Sequence, residues 1–551
     1  MKHIKRTIVL GCGLAVLTAC GADEVASPGT SGNVDIDITT PAPPPPPPPP
    51  TSTLVTPAGA CPTLTNDGSV VLANTGTITG PTGEYRKCEL PSRIGKSVTL
   101  PKINGLLYVI PGRVDVGCDG GFSAPTATAP YTSTTIGCTQ APLTADTNVT
   151  LTIDPGVVLY ASSGQAWIAV NRGNKINAVG TATQPIVFTS QDNVAGLNID
   201  SSIGQWGGVV LLGRGRITDC TQGSVASNTC ERGTEGAVNP ALFGGNDDTY
   251  NAGTMSYFQI RYSGFVLSAD KELQSLTPSG IGSGTQLDHF QSHNSSDDGT
   301  EFFGGVVNMK YYVATGADDD SLDVDTGARA NLQYVLLWQR PGQGDALMEI
   351  DSNGLEGDTP RTDLRVSNFL AYQPQTSANN EGADKASVLF RGNADVTLYN
   401  GAIITPNNEC IRLTSNTSAA NRATLTARSV VLQCSGTGDA KFIGDGSGAA
   451  PYTAAQVAAA FGSGSNNNNS DFTNSLTGFV NGATENGVTT TDPAALNTTL
   501  SGSSFFSATP TPYRIGVAWA ENNSWYTGWT CSSSYANFGT SSSACTSLPT
   551  T

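Results

Sequence analysis

From about Val149 the chain alternates short apolar, β-branched runs with Gly, Asn and Asp turns. Leu151 to Leu159 is followed by Trp167-Ile168-Ala169-Val170, by Ile176 to Gly180, and by Pro185-Ile186-Val187-Phe188-Thr189. Strands this short and this regularly interrupted predict an all-β repeat architecture. Similar runs begin at Leu287, Met309, Leu332, Leu364, Val396 and Leu425, so the first steps are short and nearly equal and the later ones longer. A unit of about 22 residues with occasional loop insertions suits one coil of a parallel β-helix, whose stacked coils bury a continuous apolar core. The expected layout is an N-terminal cap or set of β coils over 61–148, the parallel β-helix over 149–450, and a helix-containing insertion with a C-terminal capping segment over 451–551. The helical signal is the Ala-rich stretch Ala454 to Phe461, closed by Gly462. The aromatic cluster Trp519, Trp525, Tyr526 and Trp529 reads as a cap on the open β-helix core, with a sugar-stacking platform as the alternative.

Composition agrees with a solenoid and excludes several other classes. Only 13% of the 551 residues are charged, with 28 Lys and Arg against 45 Asp and Glu. A helical bundle needs more charge on its outer faces, and a nucleic-acid binder needs clustered cations to neutralise phosphates. Residues 1–19 read as a signal peptide, with Lys2, Lys5 and Arg6 ahead of an apolar stretch too short to span a membrane. Leu17-Thr18-Ala19-Cys20 resembles the bacterial lipobox, which implies lipidation at Cys20. Gly21 follows in place of the Asp that retains lipoproteins at the inner membrane. The expected location is therefore the outer membrane, lipid-anchored, with exposure at the cell surface or release to the medium as variants. Residues 20–60 are expected to be a disordered linker containing the run Pro43 to Pro50, a polyproline stalk of roughly 25 Å. Cleavage of the signal takes the net charge from -17 to -20.

Ten cysteines remain after Cys12 is removed and Cys20 is lipidated, an even number for an oxidising compartment. Nearest-neighbour pairing predicts Cys61 with Cys88, Cys118 with Cys138, Cys220 with Cys230, Cys410 with Cys434, and Cys531 with Cys545.

The chain resembles the right-handed β-helices of pectate-lyase-like architecture. More narrowly it resembles a family of secreted or lipid-anchored bacterial proteins of poorly defined function. The residues that carry this are Leu151 to Val158, Asn177-Ala178-Val179-Gly180-Thr181, Gln205 to Gly213, Phe243-Gly244-Gly245, Ile260 to Gly264, and His293 through Asp297-Asp298-Gly299-Thr300-Glu301 to Gly305. Tyr513-Arg514-Ile515-Gly516 and Trp525 to Thr530 look like that family's closing segment. The resemblance spans roughly residues 90 to 530 and implies the fold more than an activity.

The clearest chemical feature is an acidic ladder in three consecutive coils. It consists of Asp297, Asp298 and Glu301, then Asp318, Asp319, Asp320, Asp323 and Asp325, then Asp345, Glu349 and Asp351. Asp298 and Asp320 share one offset from Leu287 and Met309, the first strand residues of their coils, so stacking places them about 4.8 Å apart. Carboxylates that close raise one another's pKa unless a cation lies between them, and calcium suits an irregular oxygen set. Asp297, Asp298, Glu301, Asp319, Asp320 and Asp323 are the candidate calcium ligands. Solvated turn residues are the plainer reading, and a catalytic set drawn from Asp298, Asp320 and Asp323 is the third. Paired aspartates resemble those of polygalacturonases, but no His follows His293 to supply that family's Gly-His-Gly element. Lys310, Arg329 and Arg340 are loose candidates for a lyase base, and His289 and His293 read as polar turn or edge residues. The functional expectation is a non-enzymatic binding or accessory protein of the envelope, acting through a rigid β-helix face. A polysaccharide lyase or hydrolase is the alternative, and a regulatory factor for a secreted enzyme such as a surface phosphatase is the third. Expected partners are the membrane, through the anchor, and an envelope or extracellular polysaccharide or a secreted enzyme; nucleic acid is excluded.

Overall fold

The computed structural model describes residues 54–549, apart from 238, 240, 269–270, 353–355, 377–386, 415–420, 437–440, 446–450 and 501–503. The expected signal peptide, Cys20 and the proline stalk fall outside the described residues.

Two long sheets build the solenoid, one of 15 strands, parallel but for the antiparallel pair Ala73–Gly80 with Gly83–Glu89 at its start, and one of 11. The parallel ladder already runs from Gly83–Glu89 to Leu106–Ile110, and Val98–Leu100 pairs with Thr150–Ile153. Parallel coils thus already lie within 61–148, the segment expected as a cap or set of β coils. The start of the solenoid also reaches back into the expected linker, since Val55 bonds to Thr82 and Ala58 to Gly105 through backbone amides.

Seven long strands share one device. In Gly253–Arg261, Gln286–His293, Val306–Thr315, Arg329–Trp338, Asp363–Tyr372, Asp395–Thr405 and Thr424–Cys434, a single residue near the middle has left-handed φ. These residues are Tyr257, His289, Tyr311, Tyr334, Asn368, Asn400 and Ser429, with φ between 48° and 63°. Pairing continues on either side of each one, so every strand bends there into two legs of a coil. Left-handed backbone is costly for L-residues, and aromatic stacking or side-chain bonding along the corner offsets that cost. Tyr257 and Tyr311 sandwich His289 at ring separations of 4.0 and 4.3 Å, and Tyr311 stacks on Tyr334 at 5.0 Å. Further along, Asn368 Nδ2 donates to Arg514 O and Asn400 Nδ2 to Thr491 O. Of the two histidines expected as polar turn or edge residues, His289 sits at the bend with its ring stacked, and His293 is corrected, being fully buried.

Inward rows follow the expected repeat with one slip. Leu287, Met309 and Leu332 are paired in order, but Leu332 pairs with Val366, while Leu364 pairs with Ala330. The register at that step is therefore displaced by two positions from the expected one. Both Leu364 and Val366 point into the core, so alternation alone could not separate the two registers.

Thr453 caps the helix Ala454–Phe461 in a capping box with Gln456, and Val457 and Phe461 are buried with Phe442 at the last coil. After this plug the chain turns back along the solenoid. Phe472 bonds to Leu432, Thr491 meets Asn400, Trp529 O accepts from Gln259, and Cys545 O accepts from Arg261. Trp525 and Trp529 pack on the Tyr257–Tyr334 corner. The aromatic cluster thus covers the bent corner from Tyr257 to Tyr334; the helix, rather than the tryptophans, closes the end of the core. Disulfides join Cys61 to Cys88, Cys118 to Cys138, Cys220 to Cys230, Cys410 to Cys434, and Cys531 to Cys545.

Candidate metal centre

The short strands of the smaller sheet align the acidic residues. Glu301–Phe303, Asp323–Asp325 and Met348–Ile350 lie side by side, with Glu301 opposite Asp323 and Asp323 opposite Glu349. The turns that enter these strands carry Asp297 and Asp298, Asp319 and Asp320, and Asp345. Asp320 N donates to Asp298 Oδ1 at 2.9 Å, and Ala346 N donates to Asp320 Oδ1 at 2.7 Å. Two carboxylates thus cap the backbone of the following coil while remaining beside the outward row. Asp345 N bonds to Asp319 O, which aligns Asp345 with Asp319 and fits the longer third coil.

Two insertions from earlier coils form the lip. One includes the disulfide Cys220–Cys230 and contributes Glu235, and the other, the hairpin of Val266–Ser268 with Lys271–Glu272, contributes Glu272. Lys271 forms an ion pair with Glu235, which ties the two together. The cleft between lip and coils measures about 270 Å³. Its walls carry ten carboxylates, from Glu235, Glu272, Asp297, Asp298, Glu301, Asp319, Asp320, Asp323, Asp345 and Glu349. Gln274 and Arg391 complete the lining, and Arg391 pairs with Glu349 and, at 3.4 Å, with Asp351.

Such crowding is electrostatically unfavourable. Burial first, and neighbouring carboxylates second, push Asp297, Asp298, Glu301, Asp320 and Asp323 well above the usual carboxylate range. Burial and Asp351 push Asp325 up to about 7. Glu349 also rises to about 7 through burial, against the opposing pull of Arg391. Glu301 is 7% exposed and has no hydrogen-bond donor among the described residues, and Asp323 Oδ1 is buried without a partner. Buried acceptors left this way are destabilising unless something positive meets them.

Three sets of carboxylates could hold a cation: Asp297, Asp298 and Asp319; Asp298, Glu301 and Asp323; and Asp319, Asp320 and Asp345. Within each set the ligand oxygens lie within 4.8 Å of one another, which matches calcium at roughly 2.4 Å from each. His293 lies near the sulfurs of Cys531 and Cys545, but those sulfurs are joined in a disulfide and offer no thiolate.

All six candidate calcium ligands meet at this cleft, and the three candidate catalytic residues, Asp298, Asp320 and Asp323, are among them. The suggested lyase bases do not reach it: Lys310 lies over Phe505, Arg329 pairs with Asp248, and Arg340 pairs with Asp318. Sequence reasoning missed Glu235, Glu272 and Arg391, which come from insertions or a distant coil. Nothing in their local sequence announces that they face the ladder.

A family model described as a pectate-lyase-like β-helix domain matches residues 134–530. No curated protein gives a significant match, and no solved structure does. With the parallel solenoid and its two long sheets in view, the match over most of its length means that the chain belongs to the pectate-lyase-like β-helix family.

Proposed function

We propose that this protein is a calcium-dependent binding or accessory protein of the bacterial envelope, anchored through Cys20 and presenting the acidic cleft to an extracellular polymer. The observation that carries the reading is the cleft itself, ten carboxylates around about 270 Å³ with Arg391 as the one cationic side chain in its lining among the described residues. Asp298, Glu301 and Asp323 would hold the ion, which supplies a positive centre able to bridge to anionic groups of a polymer. The chain's own residues do the rest. The stacked coils fix the ligand rows about one strand spacing apart, and the lip adds Glu235 and Glu272 to the lining. Retention of the purified protein on immobilised acidic polysaccharides should require calcium and be reversed by a chelator. Calcium-independent retention, or none across the panel, would contradict the reading.

A second reading, a polysaccharide-cleaving enzyme, draws support from Glu349 in the cleft lining, since a carboxyl group held near 7 is suited to act as a general acid at neutral pH. Release of reducing ends or unsaturated products from the same panel would favour it.

A further inference from the structure

Beyond the acidic cleft, the turn carrying Asp318 and Asp319 separates it from a second cavity. Asp319 faces the cleft, while Asp318 Oδ1 accepts from Arg340 Nη2 at 2.7 Å. Arg340 lines the second cavity, of about 600 Å³, within the range typical of small-molecule sites. Three segments far apart in sequence converge there. Ile199, Asp200, Ser201 and Ile203 come from the loop after the short helix Gln191–Ala195, Arg340, Pro341 and Gln343 from the loop after Arg329–Trp338, and Tyr535 from the returning C-terminal chain.

The chemistry of the lining is mixed and balanced. Arg340 brings one positive charge and Asp200 one negative charge, beside the Gln343 carboxamide and the Ser201 hydroxyl, and Tyr535 adds to the wall. The Arg340 side chain is 8% exposed, and its Nε is buried without a partner. Asp200 Oδ2 accepts from Ser534 N at 3.0 Å, which fixes that carboxylate at the wall. Tyr535 is fixed as well, since its hydroxyl bonds to Asn294 and Trp338 Nε1 donates to its carbonyl at 2.7 Å. Ile203, Pro341 and Ile199 complete the lining, the last a large apolar side chain left 63% exposed. An anion would meet Asp200 as well as Arg340, and a purely apolar ligand would cover the Asp200 carboxylate and the Gln343 carboxamide without bonding to them. A ligand with several hydroxyls, each able to donate and accept, and with one C–H face suits this mixed lining.

We propose that this cavity is a binding site for a neutral sugar unit, distinct from the acidic cleft and independent of calcium. Asp200 and Gln343 meet its hydroxyls, Arg340 donates to an acceptor oxygen, and Ile199 and Pro341 cover its apolar face. The proposal does not depend on the metal centre. Its test is titration of the full chain with neutral di- and trisaccharides of glucose, galactose, mannose and N-acetylglucosamine, by calorimetry or ligand-observed NMR, with a chelator present. Galacturonate oligomers and decanoate serve as the anionic and the amphipathic probes. At least one neutral sugar should bind saturably, and the rim substitutions Gln343→Ala and Ile199→Asp should each weaken it at least tenfold while the melting temperature stays unchanged. No saturable binding of any neutral sugar, binding only of decanoate or of galacturonate, or binding unchanged in both variants would overturn the proposal.

Discussion

The carboxylates of the cleft behave as they do because each is buried before it is paired. Glu349 has an ordinary value of 4.5, and Asp325, outside the cleft lining on the same strand as Asp323, one of 3.8, and both rise to about 7 in the fold. A carboxyl whose folded pKa is raised stabilises the fold while it is protonated, and that contribution is lost progressively as pH rises from the unfolded value through the folded one. The metal-free protein should therefore lose stability steadily as pH rises from about 4 to 7. Calorimetric melts in chelator across that range check this, and a melting temperature that rises with pH would contradict it. The sequence already placed Asp298 and Asp320 at one offset, and they occupy one row of the cleft. It could not place Glu235 or Glu272, because insertion loops carry no periodicity from which their facing direction can be read.

Bent strands are the element that makes the coils regular. Alternation and repeat length predicted the stacked strands, yet the left-handed corner at Tyr257, His289, Tyr311, Tyr334, Asn368, Asn400 and Ser429 was not legible. Four aromatic rings, two asparagines and a serine share no composition signal, and they are united only by backbone φ and by contact with the returning C-terminal chain. Asn400 is the clearest case, with Nδ2 donating to Thr491 O at 2.7 Å and Oδ1 accepting from Thr491 N at 2.9 Å. Asn400→Ala loses both bonds and keeps the left-handed φ, at a cost of about 2–4 kcal/mol. Denaturant melts measure it, and a loss below about 0.5 kcal/mol would show that the corner needs no side-chain support.

On the scale of the whole molecule, local cysteine pairing and a short recurring coil pointed to one elongated stack, and the two long sheets realise it. The course of the chain beyond the plug helix was not legible, because turn-rich segments with isolated tryptophans do not disclose which face they cover. Anchoring is the proposal for the other end of the chain. Cys20→Ser should move the protein from the membrane fraction to the soluble one, and retention of the variant in membranes would refute attachment through a lipid on that residue. The central claim concerns the cleft, and a calcium titration followed by melting temperature tests it most directly. The wild-type protein should melt several degrees higher in millimolar calcium than in chelator, and Glu301→Gln should abolish most of that difference while remaining folded in chelator. Equal melting temperatures of the wild-type protein with and without calcium would contradict the account.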